Sequence, residues 1–367
     1  MAAQPLRWGI LGTANIARKN WKALRNCESA TLAAVASRTL ERSRQFIAEC
    51  QASAPFDPAP RAIGSYEELL AAPDIEAVYL PLPTGLRKEW VLRAAAAGKH
   101  VLCEKPCAVS VMDLQEMIAA CHRNGVQFMD GVMFMHSRRL EGIRRILDDG
   151  TSVGPLKRIA SAFSFNAPPE FFQGNIRAKS ALEPHGCLGD LGWYCIRFSL
   201  FAMNWQLPRS VTGRMISGIR GPDATMPVPT EFSGELFFDG GISADFYCSF
   251  LTAHQQWARI SGTAGCLEME DFVVPFFGCE ARFQILQSGL KINGCDFNVE
   301  AHSQSIAVAE HGNSHPSAQE TNMFRNFSRQ VRSGKREESW PTFALKTQQV
   351  MEACYTSARA SGIEVTL

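Results

Sequence analysis

A lysine stands at the end of an apolar run in the segment VLCEKPC, residues 101–107. The run has the composition of a buried strand, and it stops at Glu104, Lys105 and Pro106. Ligands of open α/β sheets bind at the carboxyl ends of the strands, so a lysine in this place can reach a bound molecule. The segment predicts a functional amine, although a lysine considered alone is more often a surface residue.

The segment WGILGTANIARK, residues 8–19, has the pattern of a dinucleotide-binding turn. The fingerprint G-x-G-x-x-G/A falls on Gly12, Ala14 and Ala17, after an apolar strand and at the start of a helix. Such a turn offers backbone N–H groups and a helix dipole to a pyrophosphate. Ala14 is expected to loosen it, because a methyl group stands where the backbone approaches the phosphates. The predicted turn also contains Thr13, Asn15 and Ile16.

The end of the second predicted strand carries no acid. NAD-binding proteins place a carboxylate there for the ribose 2′-hydroxyl, whereas this chain has Ser37, Arg38 and Arg42. A guanidinium forms charge-assisted, often bidentate bonds with phosphate, which favours NADP(H) over NAD(H). The alternative is that these arginines are solvated loop residues.

Short apolar runs alternate with helical patterns over the first third of the chain. This alternation predicts a parallel sheet covered on both faces, a Rossmann-type α/β domain over residues 1–130. The predicted strands are LRWGIL (6–11), TLAAVAS (31–37), AVYLPL (77–82), HVLCE (100–104) and VQFMDG (126–131).

Period-two patterns dominate after about residue 150. They predict an α+β domain over residues 131–341 with a large, mostly antiparallel open sheet, and Asp239-Gly240-Gly241 is a hairpin turn between two of its strands. The amphipathic pattern at about 342–361 predicts a closing helix that packs back on the first domain.

Several of these segments together resemble the Gfo/Idh/MocA oxidoreductases. The resemblance rests on the glycine turn, on Ser37-Arg38 and on PLPTG (81–85), GKHVLCEKP (98–106) and GDLGWYCIR (189–197), and it extends over nearly the whole chain. Within that family the segments are similar to the branch of dihydrodiol dehydrogenase, D-xylose dehydrogenase and glucose–fructose oxidoreductase, as a plant-type member.

The resemblance implies catalytic roles for Lys105, Tyr194 and Asp190. Oxidation of a secondary alcohol requires a base for the hydroxyl proton while hydride leaves for the nicotinamide. Tyrosine and lysine both titrate near ~10 when unperturbed. A neighbouring ammonium favours tyrosinate, and desolvation lowers the pKa of a lysine, so the two form a credible acid/base pair with Asp190 to orient one of them. Taken alone, Tyr194 is core and Asp190 a helix N-cap.

The same resemblance implies further binding residues. Those on the cofactor side are Pro81, Leu82, Pro83, Thr84, Arg87 and Glu104, together with Lys105. Those on the substrate side are His136, Asn175, Arg177 and His185.

Two departures from the family pattern concern one residue of each group, His185 and Arg87. The family's glycine run before D-x-G-x-[HY] is replaced by Glu183-Pro184-His185-Gly186-Cys187, which adds a titratable ring. Arg87 stands where relatives often have a histidine, and it is expected either to weaken a nicotinamide-side contact or to serve an anionic substrate. A surface substitution is the plain alternative for His185.

Composition places the chain in a broad class. The net charge is +1, so no global field draws the protein to nucleic acid or to an anionic membrane. Twelve scattered cysteines indicate free thiols in a reducing compartment, the cytoplasm, and neither a metal site nor a membrane span is expected. The resemblance implies a homodimer through the open sheet.

These observations predict an NADP(H)-dependent oxidoreductase acting on a hydroxyl or carbonyl of a sugar, diol or related small polar metabolite. One alternative is an enzyme on the same fold that catalyses a non-redox elimination, epimerisation or cyclisation. A second is a non-catalytic protein that senses a dinucleotide.

Overall fold

The computed structural model describes residues 4–174, 182–220 and 227–367. Asn175 and Arg177 lie outside the described residues. The chain divides into two compact units, of which unit 1 consists of residues 1–136, 181–183 and 313–348 and unit 2 of residues 137–180, 184–312 and 349–367.

Unit 1 contains a six-stranded sheet with the strand order β3-β2-β1-β4-β5-β6, and every strand pair is parallel. This is the order of the Rossmann fold, so the fold predicted for the first part of the chain is confirmed. The strands are β1 (Leu6–Leu11), β2 (Ala30–Ala36), β3 (Arg61–Ile63), β4 (Ala77–Leu80), β5 (His100–Cys103) and β6 (Phe128–Asp130). The crossover helices are α1 (Asn15–Arg25), α2 (Leu40–Ser53), α3 (Tyr66–Ala71), α4 (Thr84–Ala96) and α5 (Val111–Arg123).

Unit 2 contains a nine-stranded sheet that is antiparallel except for one parallel pair, β7 with β10. This confirms the mostly antiparallel sheet and the hairpin turn at Asp239–Gly241. Its strands are β7 (Leu156–Ser164), β8 (Ser210–Ile219), β9 (Val228–Phe237), β10 (Ser243–Ser249), β11 (Gln255–Gly262), β12 (Cys266–Met269), β13 (Glu280–Leu286), β16 (Ser303–Ala309) and β17 (Val365–Thr366). Between β13 and β16 a separate hairpin consists of β14 (Gly289–Asn293) and β15 (Asp296–Glu300).

Further α-helices follow β6 along the chain. They are α6 (Arg139–Asp148), α7 (Pro169–Gly174), α8 (Trp193–Ala202), α9 (Gln319–Arg332) and α10 (Ser339–Arg359). All ten residues of α8 are buried, because the helix is apolar apart from Arg197 and Ser199 and packs against β7 and β10. None of the helices among the described residues is both long and apolar enough to cross a membrane.

Aromatic packing joins α9 to the first strand of the Rossmann sheet. The Trp8 ring lies 5.1 Å from the rings of both Phe324 and Phe327, and its indole N–H donates to Ser328 Oγ at 3.1 Å. The same core includes Trp340 from the first turn of α10. Residues 349–361 of the helix predicted to pack back on this domain belong instead to unit 2, and the preceding helix α9 supplies the rings that cover Trp8. Unit 1 is completed by residues more than 300 positions from its first strand.

A buried ion pair holds part of unit 2 together. Arg139 and Asp271 are 1% and 6% exposed. The guanidinium donates to the Asp271 carboxylate, to the Asp271 carbonyl at 2.9 Å and to the Arg282 carbonyl at 3.0 Å. The second carboxylate oxygen accepts from the N–H of Phe276 at 2.8 Å. Both terminal nitrogens of the guanidinium and both carboxylate oxygens have partners, which is the condition under which a buried charge is tolerated.

We predict that Asp271→Asn lowers the free energy of unfolding by about 3–5 kcal/mol, because it leaves a buried guanidinium without a counter-charge. Glu280→Gln is the matched control, since Glu280 forms an exposed pair with Arg282 that contributes about 0–1 kcal/mol. Urea denaturation of both variants measures the difference. Equal losses for the two would show that Arg139 is not stabilised by this carboxylate.

Candidate active site

The turn after β1 has the geometry of a phosphate-binding turn. Gly12 has φ +113°, a conformation that residues with a Cβ rarely adopt, and a Cβ there would lie 3.0 Å from Leu82 Cδ2. Ala14 is the N-cap of α1, and no side chain caps this helix, whereas α2, α3 and α5 are capped by Thr39, Ser65 and Ser110. The first N–H groups and the dipole of α1 are thus available to an anion, as the pyrophosphate of a dinucleotide requires.

The groups expected to bind a 2′-phosphate lie beside this turn. Ser37 Oγ is 3.5 Å from Thr13 Oγ1, and Arg38 and Arg42 are exposed. Burial raises the pKa of the Tyr66 hydroxyl, and the positive charges of Arg38 and Arg42 oppose this rise. Both guanidinium groups therefore interact electrostatically with Tyr66. A Cβ on Gly12 would lie 3.7 Å from the Tyr66 oxygen. The turn and the end of β2 therefore form one cationic surface with an aromatic side chain, which fits NADP(H).

The N-terminus of α4 is closed in a different way. Thr84 donates its N–H to Glu183 Oε1 at 3.0 Å and its hydroxyl to Glu183 Oε2 at 2.5 Å, and the N–H of Gly85 donates to the Leu182 carbonyl at 3.0 Å. Glu183 is 9% exposed, so its charge is stabilised by these bonds and by the positive end of the helix. Unlike α1, this helix offers its first N–H groups to the protein itself.

Lys105 follows β5 and belongs to unit 1. Its backbone N–H donates to Glu104 Oε2 at 3.2 Å, while Glu104 Oε1 accepts from the Tyr79 hydroxyl at 2.7 Å. The Tyr79 oxygen in turn accepts from the side-chain amide of Asn20 at 2.6 Å. Burial raises the pKa of Tyr79 well above its ordinary value, so the phenol stays a donor. Glu104, predicted on the cofactor side, is 6% exposed and engaged in this internal chain.

Arg87 is also internal. It is 5% exposed, and its guanidinium donates to two backbone carbonyls, from Nε to Leu82 at 2.7 Å and from Nη1 to Pro106. Thr84 Oγ1 lies 3.4 Å from the same Pro106 carbonyl. Pro81 and Leu82 are buried and Pro83 is half-buried. The segment after β4 is thus bonded to the segment after Lys105.

Asp190 and Tyr194 lie in unit 2 on two different kinds of helix. Asp190 is part of a π-helix (Leu188–Gly192), and Tyr194 lies in the first turn of α8, which follows directly. The two residues therefore do not lie on one continuous α-helix, and their spacing of four positions does not by itself place them on one face. Tyr194 is 7% exposed and makes an edge contact with Phe163 at 5.7 Å between ring centres.

His185 is a core residue of unit 2. It is 4% exposed, its ring stacks edge-on against Tyr355 at 5.2 Å, and its Nδ1 has no hydrogen-bond partner among the described residues. Burial lowers the pKa of His185 to about 4. The neighbouring Gly186 has φ +47° and packs so closely on the Pro229 carbonyl that a side chain would collide with it. A surface substitution is therefore excluded for this position.

His136 ends a 3₁₀ turn (Met133–His136) in unit 1. Its Nδ1 lies 3.1 Å from Asn326 Nδ2, its carbonyl accepts from Asn322, and its ring makes an edge contact with Trp340. The described part of the chain contains no group of three or more histidines, cysteines or acids that could hold a metal ion.

Tyr66 and Glu183 are the functional candidates that motif reasoning missed. Tyr66 begins α3 behind a three-residue strand, and its approach to Gly12 becomes visible only when the parallel strands are aligned. Glu183 lies 99 positions from Thr84 in the sequence. The one available signal for it was a carboxylate directly before a proline, which is too common to predict a cap.

We predict a pH-dependent difference between the protein and its His185→Phe variant, which keeps an aromatic ring against Tyr355. The pKa of His185 is about 4, below the ordinary value of 6.5. Its contribution to stability is therefore complete above pH 6.5 and is lost as the pH falls towards 4, because the unfolded chain binds the proton first. Relative to the variant, the wild type loses up to about 1.4 kcal/mol per pH unit in this window. Urea denaturation at several pH values measures it, and parallel curves would contradict the assignment.

Comparison with known proteins assigns both halves of the chain. A profile described as an oxidoreductase family with an NAD-binding Rossmann fold matches residues 6–132, and a profile of the GFO/IDH/MocA C-terminal domain matches residues 141–268. A trans-1,2-dihydrobenzene-1,2-diol dehydrogenase of Mus musculus is 31% identical over 74% of this chain and 76% of its own.

Two solved structures share the fold. An aldose-aldose oxidoreductase from Caulobacter crescentus, complexed with glycerol, has a TM-score of 0.80 and 24% identity over 99% of this chain and 100% of its own. The 3-ketoreductase KijD10 from Actinomadura kijaniata, in complex with NADP and TDP-benzene, has a TM-score of 0.79 and 24% identity over 96% and 98%. The resemblance noted in the sequence is confirmed, and the chain belongs to the Gfo/Idh/MocA oxidoreductase family.

Proposed function

We propose that this protein is an NADP(H)-dependent oxidoreductase that acts on a hydroxyl or carbonyl group of a sugar, diol or related small polar metabolite. The observation that carries the proposal is the uncapped N-terminus of α1 beside Arg38, Arg42 and Tyr66. A pyrophosphate can accept hydrogen bonds from the N–H groups at the helix N-terminus, and a 2′-phosphate can pair with the guanidinium groups.

The substrate class is supported by relatives. The mouse relative is a dehydrogenase of a dihydrodiol, and the aldose-aldose oxidoreductase binds glycerol. We extend a small polyhydroxylated or carbonyl substrate to this chain on that basis. His136 stays a candidate for contact with the substrate, and so do Asn175 and Arg177.

Lys105 and Tyr194 are proposed to hold and move the proton of the reacting hydroxyl. The nicotinamide supplies the hydride acceptor or donor when it is bound. Lys105 is half-exposed on a backbone fixed by Glu104, so its amine can meet a ligand without displacing the core. Asp190 is proposed to orient one of the pair, which is the role its family position implies.

The non-redox alternative loses its motivation. It rested on His185 and Arg87 as groups that face a ligand, whereas both are buried and Arg87 is bonded to carbonyl groups. The sensing alternative shares the cofactor and differs only in turnover, so a lysine variant separates the two.

We also propose a homodimer in the cytoplasm. Charged and aromatic side chains such as Tyr247, Asp245 and Arg158 alternate with buried ones along the sheet of unit 2, which suits a polar, two-fold symmetric contact. All twelve cysteines are free thiols, as in a reducing compartment. Sedimentation equilibrium should therefore give twice the chain mass, and a monomer at micromolar concentration would contradict the dimer.

Fluorescence titration with NADPH and NADH tests the cofactor. We expect NADPH to bind at least about tenfold more tightly, and Arg38→Met to weaken NADPH binding by about 10–100-fold while changing NADH binding little. Arg44→Met is the matched control, because Arg44 is also exposed and lies in α2, which begins shortly after Arg38. Equal affinities for both nucleotides would contradict the preference, and no binding of either would overturn the proposal.

Lys105→Met tests the chemistry in a panel of sugars, diols and carbonyls. We expect nucleotide binding to be kept and turnover to fall by at least about a hundredfold, the contribution of general acid–base catalysis. Nicotinamide absorbance follows the reaction. Turnover without absorbance change would indicate the non-redox alternative, and binding without any turnover in the wild type would favour the sensing protein.

A further inference from the structure

Arg87 is a buried cation whose partners are main-chain oxygens. Such side chains are almost never buried unless they are paired, and here no carboxylate lies within salt-bridge distance in the part of the chain that the structure describes. A guanidinium donates from fixed positions in one plane, so bonds to two carbonyls fix the distance between those carbonyls. The two belong to Leu82, after β4, and to Pro106, after Lys105.

Thr84 of the same helix lies beside the Pro106 carbonyl, while its single hydroxyl proton is donated to Glu183. Thr84 Oγ1 lies 3.4 Å from that carbonyl, and Thr84 is itself held by the Glu183 carboxylate through two hydrogen bonds. Thr84 is 1% exposed, so solvent does not compete for these bonds. The first turn of α4 therefore contacts and helps to fix the peptide on the C-terminal side of Lys105.

The N-terminal side of Lys105 is held by a separate set of hydrogen bonds. Its N–H donates to Glu104, which is fixed by Tyr79 and, through Tyr79, by Asn20. Neither side belongs to a strand or a helix, because β5 ends at Cys103 and α5 begins at Val111. The Glu104 N–H still donates to the Leu80 carbonyl at 3.2 Å, and beyond it the course of the main chain at Lys105 and Pro106 depends on these side-chain bonds.

We propose that Arg87 is a positioning residue, which fixes the backbone of Lys105 by joining the Pro106 carbonyl to the Leu82 carbonyl. It acts through the main chain and touches neither cofactor nor substrate. This inference rests on the proposed function of Lys105 and departs from the expectation that Arg87 faces the nicotinamide or an anionic substrate. An anion could bind Arg87 only by displacing these carbonyls from a site that is 5% exposed.

The test compares Arg87→Met and Arg87→Lys with the wild type. Methionine keeps most of the volume without a donor, and lysine keeps the charge but cannot bridge two carbonyls in one plane. We expect both variants to bind NADPH within about threefold of the wild type and to lose about 30–100-fold in kcat, the effect of a misplacement of about 1 Å. The alkaline limb of the kcat profile should shift, because the amine leaves its fixed surroundings.

A second readout needs no cofactor. Hydrogen exchange of the ligand-free protein, followed by mass spectrometry over residues 100–110, should be faster by about tenfold in both variants, since the peptide after Lys105 loses its strongest donor. Arg93→Met is the matched control, because Arg93 lies on the same helix but forms exposed pairs with Glu67 and Glu89. It should leave exchange, kcat and affinity unchanged.

Thr84→Val gives an independent route if the Arg87 variants do not fold. It removes the hydroxyl that lies against the Pro106 carbonyl and is held by Glu183, and it should show the same pattern at about 3–10-fold in kcat. A wild-type kcat with wild-type exchange in these variants would overturn the inference. A tenfold or larger loss of NADPH affinity, or a rise in KM with kcat unchanged, would also overturn it, because either result would make Arg87 a ligand-binding residue.

Failure of the proposed function gives a different result. If Lys105→Met is fully active, the role of Lys105 is wrong, and hydrogen exchange over residues 100–110 still decides whether Arg87 fixes this segment. If Lys105→Met is inactive while Arg87→Met is unchanged in kcat and exchange, only the positioning inference fails.

Discussion

The N–H of Lys105 donates to the Glu104 carboxylate, and the geometry of unit 1 around the lysine depends on that carboxylate staying in place. A buried carboxylate of this kind is costly unless its lone pairs are used. Tyr79 supplies a neutral donor that burial keeps protonated, and Asn20 holds the phenol. One strand residue and one helix residue thus place the functional group of a third segment.

The N-termini of α1 and α4 differ in whether the protein itself binds their first N–H groups. Helix α1 leaves its first N–H groups without a side-chain cap after Gly12, whereas α4 has its own filled by Glu183 and by the Leu182 carbonyl. The same physical feature, a positive helix end, serves ligand binding in one case and internal order in the other. This difference explains why the segment at 182–183 groups with unit 1 although its sequence neighbours do not.

Much of the fold could be predicted because buried parallel strands are continuous apolar runs. Leu6–Leu11 is bounded correctly, the predictions for β4, β5 and β6 contain the observed strands, and the prediction for β2 is shifted by one residue. The exception is β3, whose three residues begin with the exposed Arg61 and give no such run. The candidate site was harder, because type and spacing do not reveal burial. His185 and Arg87 have side chains that suggest ligand contact, yet their environments are set by residues far away in sequence, such as Tyr355 and Pro106. Asp190 shows a related limit, since a π-helix cannot be distinguished from an α-helix in the residue pattern.

The discontinuity of unit 1 has a consequence for protein synthesis. Trp8 is synthesised more than 300 residues before Phe324, Phe327 and Ser328, which cover it. At about 5–20 residues per second, the first strand waits for tens of seconds without its packing partner. During that time the nascent Rossmann sheet exposes an apolar face at β1, which is a surface that chaperones recognise and at which unfinished chains can associate.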